Sequence, residues 1–148
     1  MIAVDTNILI YAHRADSPFH QQADSALTRL AESGQLWAIP WPCVHEFLAI
    51  VTHPKIYDPP TPMTDALEQV ACWIEVPTVV VLGEDRRHWQ QLWRILEAGQ
   101  FVGAMVHDAR IVALCMGHGV REIWTADRHF PQAAGVRIRN PLVDQKGR

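Results

Sequence analysis

Short runs of β-branched and aromatic residues alternate along the chain with longer stretches whose apolar positions recur every three or four residues. That alternation predicts an α/β domain built on a parallel sheet. The predicted strands are Ile2 to Val4, Leu36 to Ile39, Thr78 to Leu82, Glu122 to Thr125 and Val136 to Ile138. All are short, and the central ones are apolar throughout, as strands covered by helices on both faces are. The predicted helices are Phe19 to Ser33, Pro42 to Thr52, Met63 to Glu75, Asp85 to Ala98 and His107 to Met116, with a further helical run at Ile8-Leu9-Ile10-Tyr11. Asp16-Ser17-Pro18 offers a turn, a cap and a first-turn proline for the helix from Phe19, and Gly34 closes it. Gly117 and Gly119 end the helix from His107.

Between two of these helices, His53 to Pro62 (HPKIYDPPTP) is rich in proline but too short for a domain linker, and reads as a surface loop. There is no internal repeat. The pattern gives one domain over residues 1–143, with the polar end 144–148 (DQKGR) as a flexible tail.

Composition narrows the class. At 148 residues, 49% hydrophobic and 20% charged, the chain sits near globular averages, away from disordered, collagen-like and coiled-coil sequences. No stretch approaches the roughly 18 apolar residues of a membrane span. The apolar start meets Asp5 before a signal-like segment can form, so the sequence reads as cytoplasmic, with no membrane partner. Cys43, Cys72 and Cys115 are isolated among apolar residues with no CxxC spacing, and all three are expected to be buried thiols. A formal charge of −3 argues against a generally basic nucleic-acid coat, yet it leaves room for a local patch among the 13 Lys and Arg.

The chemistry begins where Ile-Ala-Val runs into Asp5-Thr6-Asn7. In a parallel α/β sheet the carboxyl ends of the strands form the ligand crevice, and Asp5 is placed there. All three residue types are also good helix caps, and alone the triplet reads first as a cap. A second strand repeats the device: Glu122-Ile123-Trp124-Thr125 leads through Ala126 to Asp127-Arg128-His129. Asp127 by itself would pass as a turn residue before Pro131.

Two more acids lie on helices. Glu46 shares a helix face with Cys43, Ala49 and Ile50, so it projects either from an apolar stripe or, by a bend of its side chain, from the edge of that stripe. Asp108 opens a helix with Ile111 and Val112 on its face, where an acid is also favoured by the helix dipole. Taken together, two acids at strand ends and two on helix faces describe one acidic pocket whose like charges are costly without a cation. Carboxylates without a Cys or His cluster suit a hard ion, Mg²⁺ or Mn²⁺; the eight histidines show no HxH or HExxH spacing for zinc. Such a site commonly works on phosphates.

At this level of detail the whole chain resembles a PIN domain, and within that superfamily a VapC-type ribonuclease toxin of bacterial toxin–antitoxin systems. The resemblance rests on IAVDTNILIY, on VHEFL, on VHDARIVALC and on TADRHF, in this order over nearly the whole chain. It implies a PIN-like fold in which Asp5, Glu46, Asp108 and Asp127 gather around one or two Mg²⁺ or Mn²⁺ ions. Thr6, Asn7 and Thr125 match the polar residues that orient those acids. The reaction implied is metal-dependent hydrolysis of single-stranded RNA, leaving a 5′-phosphate and a 3′-hydroxyl. His129 stands where some members carry another acid. The resemblance further implies a homodimer and a separately encoded VapB-type antitoxin.

RNA also has to be held. Arg128 and His129, next to Asp127, are the first candidates for phosphate contacts, with Arg110 behind them; solvated surface charge is the plain alternative for each. Arg86, Arg87 and His88 form another small basic group at a helix start. Six tryptophans, including the pairs Trp37/Trp41 and Trp89/Trp93, are more than a core of this size requires, and both core packing and an interface stay open for them. Two other functions remain: a phosphatase of the haloacid dehalogenase type, which also sets an Asp after its first strand but normally as DxD rather than Asp5-Thr6-Asn7, and a non-catalytic PIN-like module that binds RNA or protein.

Overall fold

The computed structural model describes residues 1–143; the tail expected over 144–148 lies outside the described residues. Eleven elements follow one another: β1 Ile2–Val4, α1 Thr6–His13, α2 His20–Glu32, β2 Trp37–Pro40, α3 Trp41–Val51, α4 Met63–Ile74, β3 Val79–Leu82, α5 His88–Ala98, α6 Met105–Gly117, β4 Glu122–Trp124 and β5 Arg137–Arg139. The five strands form one sheet in the order β3-β2-β1-β4-β5, with every neighbouring pair parallel.

This order carries the functional consequence. The chain starts at the centre, adds β2 and β3 on one side, then returns to lay β4 and β5 on the other. Strand order therefore reverses between β1 and β4, and the crevice beyond their carboxyl ends is where open α/β sheets bind ligands. Registers of Val4 with Trp124 and of Ala3 with Ala38 bring the residues after β1, β2 and β4 to the same edge. Asp5 N–H donates to Trp124 O at 2.9 Å, which extends the pairing up to the acid itself.

The core is apolar on both sides of the sheet. Ala3, Val4, Trp37, Ile39 and Ile123 from the strands meet Ile8, Leu9, Phe47, Val51, Val112 and Leu114 from the helices, all of them buried. At 1.5–3 kcal/mol for each large side chain removed from water, about a dozen such residues supply the main drive for folding. Arg14 is buried but fully engaged: it pairs with Asp16, donates to Pro59 O and the Thr61 hydroxyl, and lies 4.1 Å from the Tyr57 ring centroid. That side chain ties the proline-rich loop to the end of α1, since a buried guanidinium is tolerated only when its donors are met.

Several expectations need correction. The helix after Asp16-Ser17-Pro18 begins at His20, one residue late, because Ser17 Oγ accepts from Phe19 N–H and forms a turn, leaving the helix without a side-chain cap. The helix expected from Asp85 begins at His88, because Asp85 turns back to accept from Arg87 N–H at 2.8 Å and binds its guanidinium. Arg87 is thereby neutralised locally. Cys72 is exposed, while Cys43 and Cys115 are buried; α4 packs through Ala66 and Val70, and Cys72 falls on its other side. Among the described residues, no helix is long and apolar enough to cross a membrane.

Candidate active site

Asp5 performs both roles proposed for it. It is the N-cap of α1, its Oδ1 accepting from Thr6 N–H at 2.7 Å, and it lies at the carboxyl edge of β1 with only 5% of its surface exposed. Its Oδ2 accepts from the Thr125 hydroxyl at 2.7 Å and from Asn7 Nδ2 at 3.1 Å. Cys43 Sγ donates weakly to Oδ1 at 3.8 Å. A carboxylate surrounded by four donors is built to keep its position.

Thr6 and Asn7 extend this order to the other acids. The Thr6 hydroxyl donates to Glu46 Oε2 at 2.8 Å, fixing the helix acid to the first strand. Asn7 Oδ1 accepts from Ala126 N–H at 2.9 Å, and Asp127 N–H donates to the Thr125 hydroxyl at 3.1 Å. Asp127 Oδ1 in turn accepts from His129 N–H at 2.8 Å, so its turn role is real and coexists with its place beside the crevice. Asn7 and Thr125 thus join the two strand-end loops.

Glu46 does not project from a buried stripe. Cys43, Val44 and Phe47 go to the core, while His45, Glu46 and Ala49 are exposed on the other side of α3. Glu46 stands at the stripe's edge and faces a cleft of about 590 Å³ between α3 and α6, lined also by His45, His107, Asp108 and Arg110. Asp108 is half-buried in the first turn of α6.

The charges repel. Burial pushes the Asp5 carboxyl up from 3.8 to about 6 against the pull of Thr125 and the Thr6 amide, and the charges of Glu46 and Asp108 raise it further. Asp108 is raised by burial first, then by Asp127 and Glu46, with His107 opposing. Each raised acid feels others of the four, so they share one field, and a cation among them would relieve it. Among the described residues no three His, Cys, Asp or Glu side chains stand close enough to hold an ion together. Mg²⁺ usually takes one or two carboxylates and keeps several waters, so the all-oxygen donor set fits it without a closed cage.

The basic candidates separate. Arg110 lines the cleft but is ion-paired with Glu84. Arg128 and His129 are exposed beside Asp127, and among the described residues Arg128 forms no ion pair. The two buried thiols are inert: burial pushes Cys115 up to about 12 and Cys43 well above the usual range, with Asp5 adding to both. Sequence reasoning missed His45 and His107 in the cleft, although each directly precedes a predicted site acid. It also missed the contact of Cys43 with Asp5, which no spacing announces because it joins residues 38 apart.

The PIN domain family matches residues 2–136. Ribonuclease VapC48 of Mycobacterium tuberculosis is 33% identical over 138 residues, covering 93% of this chain and 95% of the relative. Among solved structures, VapC20 of Mycobacterium tuberculosis, a sarcin-ricin loop cleaving toxin, superposes with a TM-score of 0.65 at 16% identity, covering 88% of this chain and 92% of the other. VapBC2 from Rickettsia felis, bound to a DNA fragment from its promoter, gives 0.67 at 14% identity, with 95% and 98% covered. At these identities the solved structures establish a common fold.

Proposed function

The chain belongs to the PIN-domain family and, within it, to the VapC ribonucleases, and from that membership we propose that it is a Mg²⁺- or Mn²⁺-dependent endoribonuclease toxin neutralised by a cognate VapB-type antitoxin. The observation that carries the reading is the buried Asp5 carboxylate, held by four donors and repelled by Glu46 and Asp108. A protein bears that electrostatic cost where a cation is to be bound. Relatives named as ribonucleases and a neighbour crystallised as a VapBC complex support the RNA substrate and the antitoxin partner.

Asp5, Glu46, Asp108 and Asp127 are the residues that would hold the ion. When bound, a divalent ion neutralises charge on the phosphoryl oxygens and acidifies a water for attack on phosphorus. The chain's own contribution is to fix the acids before substrate arrives. Thr125 and Asn7 hold Asp5, Thr6 holds Glu46, and the backbone turn at His129 holds Asp127. Arg128 and His129, exposed at the rim, bind the RNA phosphates, with Arg110 available in the cleft once released from Glu84. The protein acts in the cytoplasm, and as a homodimer.

The test is a gel assay of antitoxin-free protein on a pool of cellular RNAs, with Mg²⁺, with Mn²⁺ and with EDTA, beside Asp108→Asn. Discrete fragments that require metal and disappear in the variant are expected. Intact RNA from folded, metal-loaded protein would discard the nuclease. Turnover of a small phosphate ester would then favour the phosphatase, and RNA affinity without products the binding module.

A further inference from the structure

The fates of the six tryptophans differ. Trp37 and Trp124 are buried and Trp73 is partly buried, whereas Trp41, Trp89 and Trp93 are exposed. Trp89 and Trp93 satisfy each other on α5, ring edge to face at 5.7 Å, and Trp93 Nε1 donates to Glu97. Trp41 is placed otherwise. It is the first residue after β2, at the same sheet edge as Asp5 and Thr125, and 41% of its surface is exposed. Its ring stacks on His45, with centroids 6.1 Å apart and planes 30° from parallel.

Helical spacing explains the pairing. Positions 41, 45 and 49 form one row on α3, and Glu46 stands in the adjoining row. His45, Glu46 and Ala49 line the cleft opposite Asp108, so His45 shares a wall with the acid Glu46, and Trp41 adjoins the cleft through its stack on His45. Trp41 is also positioned: a side chain on Gly83 would begin 3.4 Å from Trp41 Cδ1, so the indole edge rests against the strand-end backbone. His45 makes no side-chain hydrogen bond among the described residues. Two flat rings lie open to water beside the proposed scission site.

We propose that Trp41 and His45 form a stacking shelf that grips an unpaired RNA base next to the acid cleft. The proposal rests on the ribonuclease reading and deepens it by naming the residues that hold the unpaired nucleotide. Aromatic rings hold splayed-out bases through their π-faces, and every base has one, so the shelf favours an unstacked nucleotide over a paired one without choosing a sequence. A base inside a duplex presents only its edges and does not fit. The shelf therefore directs cleavage to loops and single strands.

The experiment measures fluorescence anisotropy of a labelled single-stranded oligoribonucleotide, and of the duplex it forms with its complement, in EDTA. Wild type, Trp41→Ala, Trp41→Phe, His45→Ala and Arg128→Ala are compared, with circular dichroism on each. The single strand is expected to bind more tightly than the duplex, Trp41→Ala to lose about tenfold on the single strand alone, and Trp41→Phe to recover most of it. The dependence of affinity on salt should stay as in wild type, because no phosphate contact is removed. Full single-strand affinity in Trp41→Ala, with a loss in Arg128→Ala, would overturn the shelf and leave the ribonuclease standing. Equal losses on both RNAs without rescue by Phe would also overturn it. No RNA binding or cleavage by wild type would remove the reading beneath it.

Discussion

The Thr125 hydroxyl donates to Asp5 Oδ2 at 2.7 Å, joining two strand ends that are 120 residues apart in sequence. The same oxygen accepts from Asn7 Nδ2 at 3.0 Å and from Asp127 N–H at 3.1 Å. A hydroxyl has one proton to give and two lone pairs, so this one is used to capacity. Thr125→Val keeps the shape and strands all three partners. It is expected to cost about 1–3 kcal/mol in urea denaturation and to reduce cleavage, with Thr125→Ser close to wild type. Equal stability of the Val variant would mean that the three contacts do not hold the site together.

The titration of Asp5 gives a pH prediction. Its carboxyl stands near 6 folded and near 3.8 otherwise, so the folded state binds the proton more tightly than the unfolded chain. The stability it contributes is fullest below 3.8 and is lost as pH rises through about 6. A difference of about two pH units at about 1.4 kcal/mol each sets an upper figure of about 3 kcal/mol. In EDTA the melting temperature should fall across this window, and Asp5→Asn should flatten the fall. Mg²⁺ added above pH 7 should restore part of it by binding only the folded state. No recovery would take Asp5 out of the proposed ligand set.

Asp5 and Asp108 differ as sites for inactivation. An Asn at position 5 turns an amide N–H₂ toward groups that donate to Asp5, namely Thr6 N–H, Asn7 Nδ2 and the Thr125 hydroxyl. Asp108 accepts no hydrogen bond among the described residues and carries repulsion from Asp127 and Glu46. Asp108→Asn is therefore expected to abolish cleavage with thermal stability unchanged or raised, while Asp5→Asn is destabilised below about pH 5, where the charge it removes is already gone. Parallel melting curves and gel assays check this. Retained cleavage in Asp108→Asn would exclude Asp108 from the reaction.

Much of this arrangement was legible before the fold. Strand ends at Asp5 and Asp127 follow from apolar runs that stop at an acid, because periodicity and the sheet's crevice rule are local and general. Helix starts were less legible. Ser17 and Asp85 make hydrogen bonds two residues ahead, and those turns delay the helices in a way composition does not reveal. The setting of Glu46 depended on which side of α3 the core occupies, a tertiary choice that Cys43, Val44 and Phe47 decide together. Cys72 failed for the same reason, since apolar neighbours along the chain do not fix which face of α4 is covered. The Trp41–His45 stack needed both the start of α3 and the exposure of its outer row.

Arg110 and Arg128 differ in what already holds them. Arg128 is exposed with no ion pair among the described residues, so it is available to a phosphate, whereas Arg110 is held by Glu84 on the cleft wall. Arg128→Ala should weaken single-stranded RNA binding and lower the slope of log affinity against log salt by about 0.7. Arg110→Ala removes one cation and also frees the Glu84 carboxylate, so its loss overstates the contact. Glu84→Gln separates the two effects: it releases Arg110 with the positive charge intact, and RNA affinity should rise at low salt. A fall instead would show that the pair is needed to shape the cleft and that Arg110 does not reach the RNA.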